Sequence, residues 1–317
     1  MKLKSLLAAV VLSAIGVTPA FAGVAGMADL SISQLLVVDP ANPTQPSPFA
    51  GQIRITSDSR TGTAASNYNN VQGTGIGAAS ITDTRTDGTT ASVDVQYRAA
   101  GPDAGAVNAI YGGSAENNTA ANFVANNGNY ALGDMNITGN ALAGGANGLT
   151  RADSSADNPN ASGGANATIL NGVTVITDFT AGVTADLAFA LTYDAFVSAF
   201  VDALLPANQN SLASGAITFN LTLRNLTTGT TLLSWSPEEL NQGFQSTGFS
   251  ENAVHDEAGT IVSDTINVVA GNRYSLVINQ ASNSTIQLQA VPEPESLLLV
   301  GLGLLAMGVT ARRKRLQ

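Results

Sequence analysis

The chain has 317 residues, a formal net charge of −10, no cysteine and a single histidine. This rules out disulfides, thiol nucleophiles, thiolate metal sites and any paired-histidine centre. The acidity argues against a nucleic-acid partner, which needs clustered cations.

At the N-terminus, Lys2 and Lys4 precede an apolar run over 6–17, followed by Thr18-Pro19-Ala20-Phe21-Ala22. Ala20 and Ala22 satisfy the small-x-small pattern, so residues 1–22 read as a signal peptide. Signal peptidase would then leave Gly23 as the first mature residue.

The body opens with an N-terminal β segment, 23–98. Residues 28–39 read as a strand, 39–48 with four prolines as a loop, and 52–56 as a second strand. The polar, glycine-rich stretch 60–77 reads as loop. Residues 81–97 suggest a hairpin turning at Asp87-Gly88. From 99 to 172 the composition shifts to Gly, Ala and Asn, which predicts an ordered but irregular region.

The stretch 173–290 gives the clearest β signal. Residues 187–205 fit a helix ending before Pro206, yet they are also apolar at every second position. The unbroken period of two in a β-rich chain favours a long strand. Ile217, Phe219, Leu221 and Leu223 alternate with polar residues, and 232–235 is placed to pair with them. Residues 262–269 and 274–278 flank Ala270-Gly271-Asn272-Arg273 as a hairpin, and 284–291 reads as a last strand. The expected class is mainly β, an antiparallel β-sandwich or jelly-roll-like body.

The tail, 291–317, has three parts. Pro292-Glu293-Pro294 cannot continue a helix and should be extended. Residues 296–311 form an apolar run of about 24 Å as a helix, against about 30 Å of hydrocarbon, and read as a single transmembrane helix. Arg312, Arg313, Lys314 and Arg315 then form a basic stop that stays cytoplasmic, leaving the body outside. In order, spacing and position this tail resembles the PEP-CTERM sorting signal of exported Gram-negative bacterial proteins. The resemblance covers less than a tenth of the chain and leaves the body's family unrecognised.

That resemblance implies a substrate of an exosortase, transiently anchored in the cytoplasmic membrane and processed near Pro292-Glu293-Pro294. It also implies delivery to the cell surface or extracellular matrix, in the setting of exopolysaccharide and biofilm. Of 13 Lys and Arg, six lie in the two signals, as do two of 23 acids, so the body carries seven arginines, no lysine and about −14.

Candidate chemistry in the body is sparse. His255-Asp256-Glu257 lacks a nucleophile elbow and reads as an exposed loop. Residues 83–94 mimic a calcium loop, but Arg85 occupies a ligand position and Asp94 replaces the bidentate Glu. Residues 163–171 follow the calcium nonapeptide only partly and read as a turn and strand. Gly73, Gly75 and Ala78 lack the βαβ unit of a dinucleotide site. Trp235 reads as a core anchor in preference to a sugar platform. Asn136, with Asp134 before it, is the best glycosylation acceptor. The expectation is a non-enzymatic protein without cofactor, with a carbohydrate-binding module and an extracellular hydrolase as alternatives.

Overall fold

The computed structural model describes residues 23–68, 71–72, 78–83, 93–103, 128–157, 165–201, 211–247 and 252–288. The first strands are β1 (Gly23–Asp39), β2 (Asn42–Pro46), β3 (Ile53–Tyr68), β4 (Val71–Gln72), β5 (Ala78–Asp83), β6 (Val93–Ala100), β7 (Tyr130–Asn140) and β8 (Gly145–Asp157). They are followed by β9 (Ala165–Ala181), β10 (Ala185–Val201), β11 (Leu212–Asn225), β12 (Thr231–Trp235), β13 (Gly243–Ser246), β14 (Asn252–Val262), β15 (Ile266–Val268) and β16 (Arg273–Leu288). Among the described residues the only helices are two short 3₁₀ turns, and no helix is long and apolar enough to cross a membrane.

All pairings among these strands are antiparallel and build two eight-stranded sheets. Sheet A runs β14-β10-β1-β8-β7-β6, with β15 on β10 and β2 on β1. Sheet B runs β12-β11-β16-β9-β3-β4, with β13 on β11 and β5 on β3. The sheets face each other across one shared core.

The core changes character along its length. At one end it is aromatic and aliphatic: Phe179 stacks on Tyr274 at 5.2 Å, and Phe189, Leu187, Leu35 and Val37 are closed to solvent around them. Towards the other end the facing layers become small and polar. Thr150 Oγ1 and Ser282 Oγ lie 2.8 Å apart, Gln280 Nε2 donates to the Leu30 carbonyl at 2.7 Å, and Ser154 Oγ meets Ser284 Oγ at 2.5 Å. These bonds join sheet A to sheet B and satisfy polar groups that burial would otherwise leave costly.

Two glycines set the spacing there. A Cβ on Gly26 would lie 2.5 Å from the Ser214 carbonyl oxygen, and one on Gly215 would overlap the Met27 carbonyl oxygen. The backbones of the two sheets therefore meet with no room for a methyl group between them.

Several sequence expectations need correction. The described part of 99–172 is regular: it forms the end of β6, then β7, β8 and the start of β9, because Gly, Ala and Ser supply the thin layer this packing requires, while 104–127 and 158–164 lie outside the described residues. Residues 60–68 belong to β3 instead of a loop, and 42–46 form the short strand β2. Asp87 and Gly88 lie outside the described residues, and the arms expected on either side of them do not pair as a hairpin. Instead β5 pairs with β3 in sheet B and β6 with β7 in sheet A. The pair at 262–278 likewise separates. The Asn272 N–H closes the expected turn on the Val269 carbonyl at 3.2 Å, but β15 joins β10 and β16 joins β9 and β11. The last strand is not confined to 284–291, since β16 is continuous from Arg273 to Leu288. Over 187–201 the long-strand expectation is met by β10, and 202–205 lie outside the described residues.

Both ends of the body leave from one pole. Gly23 lies opposite Asp157 on β8, and Leu288 opposite Ala165 on β9, where the chain crosses between sheets. β1 and β16 are each flanked by two partners, so they form the middle of their sheets. The turns after β1, β7, β9, β11 and β15 gather at the opposite pole.

Candidate functional site

The signal-peptide residues Ala20 and Ala22 lie outside the described residues, as do Pro292, Glu293 and Pro294, the apolar span and Arg312, Arg313, Lys314 and Arg315. Gly23, the expected mature start, is the first residue of β1, and β16 stops at Leu288, just short of the sorting motif.

Asn136 lies in the middle of β7, half-buried, opposite Asp94 on β6 and Leu149 on β8. Glycosylation there would have to precede closure of the sheet. His255 is in β14, not in an exposed loop, and its Nε2 sits 3.0 Å from the Glu239 carbonyl oxygen. Two residues along the same strand, Glu257 Oε1 accepts from Tyr193 Oη at 3.1 Å. Burial together with this carboxylate pushes the phenol up to about 12. Trp235 packs edge-on against Phe219 at 6.1 Å, as a core anchor would. Of the calcium-loop mimic, only Asp83, at the end of β5, and the start of β6 with Asp94 are described. Residues 165–171 of the nonapeptide mimic run into strand β9. Gly73 and Gly75 lie outside the described residues.

Sequence reading passed over two buried ion pairs. Both join residues two apart on one strand, a spacing that puts side chains on the same face. Between the sheets, Arg60 Nη2 donates to Asp58 Oδ2 at 2.7 Å and Thr177 Oγ1 to Asp58 Oδ1 at 3.0 Å, so both carboxylate oxygens are satisfied. On the outer side of sheet A, Arg151 Nε and Nη2 donate to Asp153 Oδ2 at 2.9 and 2.6 Å. Arg151 lies opposite Asp29 on β1 and Asp134 on β7, so one guanidinium serves three buried carboxylates.

That ratio perturbs the acids. Burial raises Asp29 well above the usual carboxylate range, against the pull of Arg151 and with added push from Asp153, Asp194 and Asp134. Burial also raises Asp153, opposed by the charge and hydrogen bond of Arg151. Asp29 Oδ1 and Asp153 Oδ1 have no hydrogen-bond partner among the described residues. Because the folded state holds the Asp29 proton more tightly than the unfolded chain, its contribution favours folding at low pH and fades as pH rises above the ordinary value of 3.8. Asp29→Asn is therefore expected to make the fall in stability towards alkaline pH shallower, by at most about 1.4 kcal/mol per pH unit. Urea midpoints across that range measure it; an unchanged slope would contradict the assignment.

The outer face of sheet B carries a broad uncharged region. Between the rows of Ser59 and Asn67, five residues on each of β3, β9, β16 and β11 point outward, and none of these twenty is ionisable. One row reads Thr61, Thr174, Asn279 and Asn220, extended by Ser236. Thr174 Oγ1 donates to Asn279 Oδ1 at 2.9 Å and Asn220 Nδ2 to Ser236 Oγ at 2.7 Å. On a body of about −14, this flat array of hydroxyls and amides is a surface that a polymer could approach without charge repulsion.

A search among curated proteins finds no match for this chain. The C-terminal residues 290–315 match the PEP-CTERM protein-sorting motif. The chain therefore carries a PEP-CTERM sorting signal beginning two residues beyond its last described strand.

Proposed function

We propose that this is an exported, non-enzymatic protein of the cell surface or extracellular matrix, sorted and processed through its PEP-CTERM tail. Signal peptidase acts before Gly23. The tail anchors the precursor in the cytoplasmic membrane, with the body on the periplasmic side, until an exosortase acts near Pro292-Glu293-Pro294. The protein then serves in an exopolysaccharide or biofilm setting. The observation that carries this reading is the sorting motif at 290–315, directly after β16. The common exit of β1 and β16 supports it, because a precursor held at both ends needs both ends of its body on the membrane side. Mapping the termini of the exported form tests it.

A carbohydrate-binding module is the second reading, favoured by the uncharged outer face of sheet B. Such a module would work through hydroxyls and amides, since Trp235 is committed to the core. The hydrolase reading is weaker: the perturbed pair Asp29 and Asp153 is closed to solvent, where no substrate reaches it.

A further inference from the structure

Seven arginines are the only cations of the body once both signals are set aside. Arg60 and Arg151 are consumed in buried ion pairs. Arg98 belongs to β6 in sheet A, and Arg85 lies outside the described residues. Arg54, Arg224 and Arg273 are exposed, and all three gather at one corner of the outer face of sheet B. Arg54 and Arg273 both lie opposite Thr180, one on each side of β9, which sets their backbones about 10 Å apart. Arg224 lies opposite Ser275, two residues along from Arg273. One acid, Asp178, stands among them. None of the three arginines is held in an ion pair with a described residue.

This clustering is the reverse of what the overall charge favours. A body of about −14 repels anions as a whole, while this corner attracts them. The corner borders the twenty uncharged positions of the same face, so guanidinium groups continue into rows of hydroxyls and amides. Arginine binds carboxylate and phosphate in a planar fork, and the rows offer donors and acceptors for a polyol. Among those twenty, only Leu170 and Ile176 are large apolar side chains left widely exposed. That argues against a second copy of this chain, whose interface would need an apolar centre.

Position separates the two anionic sources. Arg273 begins β16 and Leu288 ends it, which places the corner about 50 Å along the strand from the exit to the sorting tail. A membrane at the exit pole is many Debye lengths away. The geometry points to the outer face of sheet B, with Arg54, Arg224 and Arg273 at its far corner, as a binding surface for an acidic polysaccharide. This rests on the proposed export reading and names the chemistry of the polymer.

The test uses protein recovered from the host's exported fraction, with polygalacturonate, dextran and phosphatidylglycerol vesicles as probes. Polygalacturonate should bind, more weakly as salt rises. The triple variant Arg54→Gln, Arg224→Gln and Arg273→Gln should lose about tenfold in affinity. Its thermal midpoint should stay unchanged, because all three side chains are exposed. Equal, salt-insensitive binding of dextran would overturn the role of charge. Binding to vesicles without polygalacturonate would overturn the polysaccharide in favour of lipid. No binding to any probe by correctly processed protein would overturn this inference while leaving the export reading intact.

Discussion

Replacing Gly215 by valine is expected to cost about 4–5 kcal/mol and to abolish cooperative unfolding of the body. A Cβ at this position would overlap the Met27 carbonyl oxygen and lie 3.0 Å from that of Ser198, both backbone atoms of the opposite sheet. No side chain can rotate away to relieve the overlap, so the sheets must separate. Separation would break the facing bonds between Ser154 and Ser284 and between Thr150 and Ser282. Gly51→Ala is the matched control, because a Cβ there meets nothing within 4 Å. Urea unfolding followed by tryptophan fluorescence distinguishes them, and equal midpoints for the two variants would refute the close approach of the sheets.

The second large effect belongs to Arg151. Its guanidinium donates twice to Asp153 Oδ2 and lies opposite Asp29 and Asp134 across the strands. Arg151→Ala would remove the counter-charge set among three buried acids, a loss of about 3–5 kcal/mol. The variant should regain stability as pH falls, since protonated carboxyls tolerate burial better than carboxylates. Denaturant midpoints at acid and alkaline pH measure both parts. A variant as stable as the parent at alkaline pH would show that Arg151 does not hold this cluster together.

Much of the architecture was legible wherever large apolar residues alternate. Ile217 to Leu223 form the middle of β11, and the period of two outweighed the helical reading over 187–201, where every second residue of β10 from Leu187 to Val201 is buried. The C-terminal end was legible too, since the order of motif, apolar run and basic cluster marks the sorting motif matched at 290–315.

The rest depended on contacts distant in sequence. Gly145 to Asp157 read as ordered but irregular in isolation, and become a central strand because Ser154 and Thr150 face Ser284 and Ser282 more than a hundred residues away. Local turn chemistry placed a turn at Ala270 to Arg273, one residue beyond the Val269 to Asn272 turn that the hydrogen bond closes, but could not say that its two arms join different sheets. The ion pairs left a signal in the spacing of Asp58 with Arg60 and of Arg151 with Asp153. That signal becomes specific only when the strand and its buried face are known. The exposed arginines converge from β3, β11 and β16, a convergence that exists only in the register of sheet B.

The central claim is that a folded body beginning at Gly23 is delivered outside the cell by a tail that follows β16. Intact-mass and terminal-peptide measurement on the exported protein tests it most directly. The account predicts a chain that starts at Gly23, retains β16 through Leu288, and lacks the basic cluster Arg312-Arg313-Lys314-Arg315. A stable cytoplasmic chain running from Met1 to Gln317, with no exported form, would contradict it.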